Sequence, residues 1–283
     1  MKPFLRVIQM NKVRHCLASH LSMYGMGMLL VLVGITGCRP SNPPEAKEIL
    51  WQARKAHGSE MLKRAIVRFV FRGKSFEVRR FDGLFLYKRR YTDAAGTVEE
   101  TLSNSGITQS INGKPQLLDE KVKAKIETDL NSVVYFALLP FNLADEAVQS
   151  EYLGQAEIAG EPYHKIEVRF TPSNGGKDWQ DRYIYWFHQS SGTMDYLAYY
   201  YHTNETGSRF RKAVRVRDRL GVRFADYENY ADTENTDQKI REDLVSFPVR
   251  FEQGRLRLLS EVNLEEISVV PLTQSWSPVE ATH

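Results

Sequence analysis

Disulfide chemistry has almost nothing to work with in this sequence, whose 283 residues include only two cysteines, Cys16 and Cys38. A disulfide framework is excluded once a leader carrying Cys16 is removed. Signatures of catalysis are equally scarce. The chain has no G-x-x-x-x-G-K-[ST] phosphate loop, no G-x-G-x-x-G, no H-E-x-x-H and no G-x-S-x-G, so the commonest local plans for nucleotide, zinc and serine chemistry are missing. Beyond residue 38 the histidines are His57, His164, His188, His202 and His283, too far apart to form a local ligand pair. No cofactor is implied. An uninterrupted apolar run of about 20 residues, the length that spans a bilayer, is also lacking.

Acidic residues are missing from the first 37 positions, which instead carry Lys2, Arg6, Lys12 and Arg14. From Leu21 to Gly37 no charge occurs at all, and Met28 to Val33 is the apolar heart of that stretch. A basic start followed by a short apolar run has the pattern of an export leader rather than of folded structure. It ends at Ile35-Thr36-Gly37-Cys38. This resembles the lipobox of bacterial lipoproteins, where an aliphatic residue and two small ones precede a cysteine that receives diacylglycerol. Residues 1–37 are therefore expected to be a signal peptide and Cys38 the lipidated first residue of the mature protein. Two or more acyl chains, at about 0.8 kcal/mol per buried methylene, would make the anchor stable.

Cleavage changes the charge balance. The leader holds four of the 38 Lys+Arg and none of the 35 Asp+Glu, leaving 34 against 35. The basic excess thus belongs to the leader, and binding of nucleic acid loses its main support.

After a tether at 38–44, a helix is expected over Glu45 to Ala56 and a short one near Met61. Strand alternation follows at Val67, Phe69 and Phe71, at Phe76 and Val78, and at Phe85 and Tyr87, with Asp82-Gly83 and Asn112-Gly113 at turns. Between Asp119 and Leu139 the apolar residues Val122, Ile126, Leu130, Val133 and Ala137 recur at helical period, and Pro140 ends the run. Strands resume at Ile158 and recur through Val269. The connections lie at Gly175-Gly176 and 204–207, and a tail without periodicity occupies 271–283. About ten strands at hairpin spacing predict an α+β domain over 45–270. It would be a large curved antiparallel sheet, an incomplete β-barrel, with helices on its concave face. A closed barrel or a two-sheet sandwich is the alternative.

Two constellations carry potential chemistry. His202, Arg209, Arg211, Asp226 and Tyr227 fall on neighbouring strands and offer either acid-base or anion-binding groups, or plain cross-strand charge pairing, which is the favoured reading. Aromatic residues occupy both faces of the strands around Tyr183 to His188 and Tyr196 to His202, so one face is a candidate cavity wall. Incomplete packing between the long helix and the sheet would leave a gap lined by Val133, Phe136, Ala137, Trp186 and Tyr199, with Arg209 and Arg211 as anion contacts at its rim.

The segments His57-Gly58-Ser59-Glu60, Asn131 to Pro140, Tyr185-Trp186-Phe187, Asp195 to Tyr199 and the run from Arg209-Phe210-Arg211 through Gly221 to Tyr227 resemble a family of bacterial envelope lipoproteins of unknown function. That family is similar, more loosely, to the half-barrel of the lipoprotein carrier and receptor LolA and LolB. The resemblance implies binding of a lipid or lipoprotein acyl chain in a concave cavity, without catalysis. Arg39 after the cysteine, in place of the Asp that retains enterobacterial lipoproteins, implies the outer membrane. Three functions compete: an anchored hydrophobic-ligand binder, an anchored structural or partner-binding lipoprotein, and an envelope hydrolase.

The lipobox makes a direct prediction. Cys38→Ser should abolish incorporation of an alkyne fatty acid and release the chain from membranes or leave it unprocessed. Unchanged labelling of that variant would remove the anchor from the reading.

Overall fold

The computed structural model describes residues 45–171, 179–202, 206–233 and 237–275. The leader, the lipobox with Cys38, the tether, the Gly175-Gly176 connection, residues 203–205 and the tail beyond Ser275 lie outside the described residues. The described chain belongs to one compact unit, 42–283.

Helix α1 (Ala46–Ala56) buries Ile49, Leu50 and Ala53 and ends at His57. A 3₁₀ turn (Met61–Lys63) leads into β1 (Arg64–Phe71), β2 (Lys74–Phe81), β3 (Leu84–Asp93), β4 (Gly96–Ser103), β5 (Gly106–Ile111) and the two-residue β6 (Lys114–Pro115). Helix α2 (Glu120–Ala137) follows, started by the Asp119 carboxylate, which accepts from Val122 N at 2.8 Å. Strands β7 (Val148–Ile158), β8 (Glu161–Phe170), β9 (Arg182–His188), β10 (Met194–Tyr201), β11 (Gly207–Arg219) and β12 (Val222–Ala231) form a meander. Then come α3 (Gln238–Glu242), α4 (Phe247–Glu252), β13 (Arg257–Val262) and β14 (Glu265–Pro271).

All strand pairs are antiparallel, and the α+β class with an unclosed, barrel-like arrangement of strands holds. The described residues form fourteen strands, not ten, because β4 to β6 occupy a stretch whose polar alternation hides them and the expected last strand is divided into β13 and β14. Their hydrogen bonding also divides into two seven-stranded sheets, β14-β1-β2-β3-β4-β5-β6 and β13-β12-β11-β10-β9-β8-β7, rather than one continuous sheet. The break falls inside the stretch expected as a single strand. Only Asn263 and Leu264 separate β13, which pairs with β12, from β14, which pairs with β1. The chain is thus one bent strand that leaves one sheet and enters the other, the usual way a β corner is made.

Side chains hold that corner. Asp226, fully buried in β12, accepts from Leu264 N at 2.9 Å and from Arg215 Nε at 2.6 Å, and pairs with Arg217. Arg219 Nε donates to Ile267 O at 3.2 Å. The carboxylate therefore ties β11 and β12 to the bend.

Three apolar cores follow from this layout. Sheet β14–β6 and α2 share one, with Val222 and Phe224 from the far sheet. The second lies under α1 and the end of α2, against Tyr185, Phe187 and Leu197. The third covers the opposite face of the same strands, where Trp186, Phe210 and Tyr196 meet Leu244 and Phe247. Among the described residues, those that form these cores lie between positions 46 and 269, within the unit 42–283.

The turn after α1 is built for close contact. Gly58 has φ +67°, and a Cβ there would come within 1.8 Å of Gly221 O, so only glycine lets this turn dock on the β11–β12 hairpin. Arg223 N donates to His57 O at 3.2 Å. The buried His57 ring accepts from Met194 N at 2.9 Å through Nε2, so Nδ1 carries the proton and meets no acceptor among the described residues.

Two outcomes are expected. Removing the Asp226 carboxylate in Asp226→Ala should cost about 3 kcal/mol in urea unfolding, since it strands Arg217 and the Leu264 amide. Burial, reinforced by Arg223, lowers the His57 pKa from 6.5 to about 3. The unfolded chain therefore binds a proton below about pH 6.5 that the folded chain refuses, and stability falls as pH drops from there towards 3, by at most about 1.4 kcal/mol per unit. Glu77 and Glu167 add to acid lability only lower, because paired arginines, acting against burial, depress their carboxyls below 4.5. Urea midpoints between pH 6.5 and 4.5 should fall for the native chain and fall less steeply in His57→Gln, the remaining slope belonging to His164, whose pKa burial also lowers.

Candidate functional site

The strand register decides which side chains share a face. In the second sheet, Arg211 stands opposite Leu197, which stands opposite Tyr185, which stands opposite Ile166. The next row towards the strand ends runs Arg209, Tyr199, Tyr183 and Val168. These rows face α2. In the first sheet, Ala65, Arg80 and Phe85 form one row on the covered side, and Val67, Val78 and Tyr87 the next.

Between these faces and the C-terminal half of α2 lies a cavity of about 1150 Å³. That exceeds the usual range for a small-molecule pocket, about 300–1,000 Å³. Its walls include Phe71, Phe85, Phe136, Phe170, Tyr183 and Tyr199. The rings pack on one another, with Phe136 and Tyr199 centroids 5.2 Å apart and Tyr183 and Tyr199 5.8 Å apart. Such offset contacts stiffen a wall that still presents apolar faces inward.

Helix α2 is fixed at both ends of this space. Arg89 in β3, buried with Glu100, donates to that carboxylate through Nε at 2.7 Å and reaches Asp129 of α2 at 3.3 Å. Further along, the Tyr135 hydroxyl meets the Tyr185 hydroxyl at 2.7 Å. Both phenols titrate well above their ordinary value because they are buried. Tyr227 in the same wall is pushed up to about 12 by burial, against the opposing pull of Arg223 and Arg211. The phenols therefore stay neutral at physiological pH, and those of Tyr135 and Tyr185 act as hydrogen-bonding groups.

The residues expected in the gap separate into two groups. Val133, Phe136, Ala137 and Tyr199 line the cavity, as do Arg209 and Arg211. Trp186 does not. It neighbours Tyr185 along β9, so the pleat sends it to the other face, where it is 0% exposed and packs 5.9 Å from Phe210. That far face is a dry core because the segment Leu244 to Glu252, absent from the expected elements, folds over it. Of the helical stripe, Val122 stays exposed, Ile126 and Leu130 are buried, and Val133 and Ala137 are half-buried beside the cavity.

His202 and Asp226 do not meet. The His202 amide donates to Asp181 Oδ1 at 3.1 Å and its Nδ1 lies 3.5 Å from the same atom, whereas Asp226 is spent on Arg215, Arg217 and Leu264. Cross-strand charge pairing accounts for Asp226. Among the described residues, no three His, Cys, Asp or Glu side chains gather so as to hold a metal ion.

Two wall residues, Tyr87 and Arg80, had no counterpart among the expected site residues. Arg80 was signalled by its place two residues beyond Phe76 and Val78 on the same face. A cation that continues an apolar stripe is uncommon, and here it donates to the Tyr87 hydroxyl and lies 4.7 Å from the centre of the Phe141 ring.

Comparison with known proteins gives a family but no assigned function. A family described as being of unknown function, DUF6503, matches residues 45–264, in accord with the resemblance carried by segments from His57 to Tyr227. No curated protein matches the chain. Among solved structures, a DUF1329 family protein from Desulfovibrio piger aligns at TM-score 0.46 and 9% identity, over 80% of this chain and 93% of that one. A LolA superfamily protein from Nitrosomonas europaea gives TM-score 0.44 and 10% identity over 85% and 98%. A putative outer membrane lipoprotein-sorting protein domain from Vibrio parahaemolyticus gives 0.38 and 9% over 83% and 96%. Likenesses this distant leave the function to be argued from the cavity itself.

Proposed function

We propose, for a chain that belongs to the DUF6503 family of unknown function, that its domain takes up the acyl chain of a lipid or lipoprotein in the cavity beside α2. In this reading Cys38 carries the lipid anchor and holds the domain at the outer membrane of a bacterial envelope. The observation that carries the proposal is the 1150 Å³ space walled by packed aromatic rings. A chain lying there needs little polar precision. Each buried methylene contributes about 0.8 kcal/mol, so a long chain gains substantial affinity from area alone. The role is binding or transfer, with no reaction.

Partner binding is the second reading, and one feature favours it. Val214, Val216 and Leu220 stand exposed along β11 and its turn into β12, apolar side chains on a ribbon that reaches beyond the cavity.

Uptake separates the two. The unit 42–283 should take up a fluorescent fatty acid saturably and copurify with lipid in native mass spectrometry. Phe136→Asp, which places a charge in the wall, should weaken uptake at least about tenfold while far-UV dichroism is unchanged. A folded unit that shows neither saturable uptake nor copurifying lipid would replace this reading with partner binding.

A further inference from the structure

We propose that Arg211 is the anion-recognition residue of the cavity, and that a ligand lies with its oxyanion head, carboxylate or phosphate, inside against this guanidinium. The inference rests on the acyl-chain reading above and adds to it the head-group chemistry and the direction in which the chain lies.

The cavity arginines differ in how far the protein already satisfies them. Arg89 is neutralised by Glu100 and Asp129. Arg209 donates to Ser208 O at 2.8 Å and lies over the Tyr201 ring, one row nearer the strand ends. Arg80 gives a hydrogen bond to the Tyr87 hydroxyl. Arg211 has no carboxylate within ion-pair distance among the described residues. Among the described residues its one side-chain hydrogen bond runs from an Nη to the Tyr199 hydroxyl, at 2.9 Å. Its Nε is shut off from solvent and finds no acceptor among them, which holds for no other arginine lining the cavity.

The group is also held in place. Its central carbon lies 4.1 Å from the centre of the Phe136 ring and 5.2 Å from that of Tyr199. Stacking on two rings fixes the plane of the guanidinium and steadies its charge, but supplies no acceptor. A planar cation, preoriented and short of acceptors within an aromatic wall, is an incomplete ion pair. An oxyanion completes it, and the tail then extends along Phe136, Val133 and Ala137. A neutral or cationic head would leave Arg211 uncompensated or repelled.

Binding of four probes to the unit 42–283 tests this: palmitate, hexadecyl phosphate, hexadecanol and inorganic phosphate. Palmitate and hexadecyl phosphate should bind roughly 10- to 100-fold more tightly than hexadecanol, the gain of one charge-assisted pair. Inorganic phosphate alone should bind weakly, because the tail supplies most of the affinity. Arg211→Gln should erase the preference by weakening the two anions to the level of the alcohol without weakening the alcohol itself. Arg211→Lys, which keeps the charge and loses the planar fork, should restore part of it. Equal binding of palmitate and hexadecanol by the native protein overturns the inference while leaving the acyl-chain reading intact. A preference that survives in folded Arg211→Gln overturns the assignment to Arg211. Inorganic phosphate binding as tightly as hexadecyl phosphate would show a free-anion site and overturn the amphiphile. Failure of every chain to bind removes both readings together.

Discussion

A single buried carboxylate sets the geometry on which the cavity depends. Asp226 gathers Arg215, Arg217 and the Leu264 amide at the point where the last strand bends from one sheet into the other. No backbone ladder bridges that point, because β13 pairs only with β12 and β14 only with β1 among the described strands. The carboxylate acts there together with the Arg219–Ile267 hydrogen bond and with Val222 and Phe224, which pack from the second sheet into the core of the first. A fully buried, multiply bonded carboxylate makes a firm tie, because any rearrangement would strand charges away from water. The angle between the sheets follows, and with it the space between them.

Helix α2 occupies part of that space and is held so that it cannot occupy the rest. The Arg89–Glu100–Asp129 network pins its middle to the first sheet, and the Tyr135–Tyr185 contact pins its end to the second. A helix free to slide would close against one sheet and fill the gap with its own Val133, Phe136 and Ala137. Held at two points, it leaves these side chains as one wall of a cavity. Polar contacts here preserve a space rather than close a core.

The aromatic strands β9 and β10 are wrapped on both faces, and the two faces differ in kind. The side bearing Trp186, Tyr196 and Ala198 is sealed by Leu244, Phe247 and Leu256. The side bearing Tyr183, Tyr185 and Tyr199 meets α1 and the end of α2, and part of it stays uncovered. A wall stiffened from behind by a dry core keeps its shape whether or not anything lies against it, the kind of preorganisation that lowers the cost of binding.

Much of this architecture is legible in the residues alone. Strand alternation, the helical stripe from Ile126 to Ala137, the Asp82-Gly83 turn and the α+β class all follow from local periodicity and turn chemistry, which depend on near neighbours. The gap residues Val133, Phe136, Ala137 and Tyr199 were legible too, because a long stripe must bury itself on the nearest apolar sheet. What the sequence could not decide was which of two aromatic faces would be sealed. Tyr185 and Trp186 are adjacent and equally apolar, and only the docking of a segment some sixty residues further along put Trp186 in a dry core. The sheet break at Asn263-Leu264 and the pairing of His202 with Asp181 rather than Asp226 belong to the same class. Each turns on contacts between strands far apart in the chain, and a one-dimensional pattern carries no record of which strands meet. The sequence by itself determined the elements and the apolar faces they must bury. Tertiary structure alone decided which face remained open, because that depends on how two sheets and a doubly pinned helix divide a fixed volume.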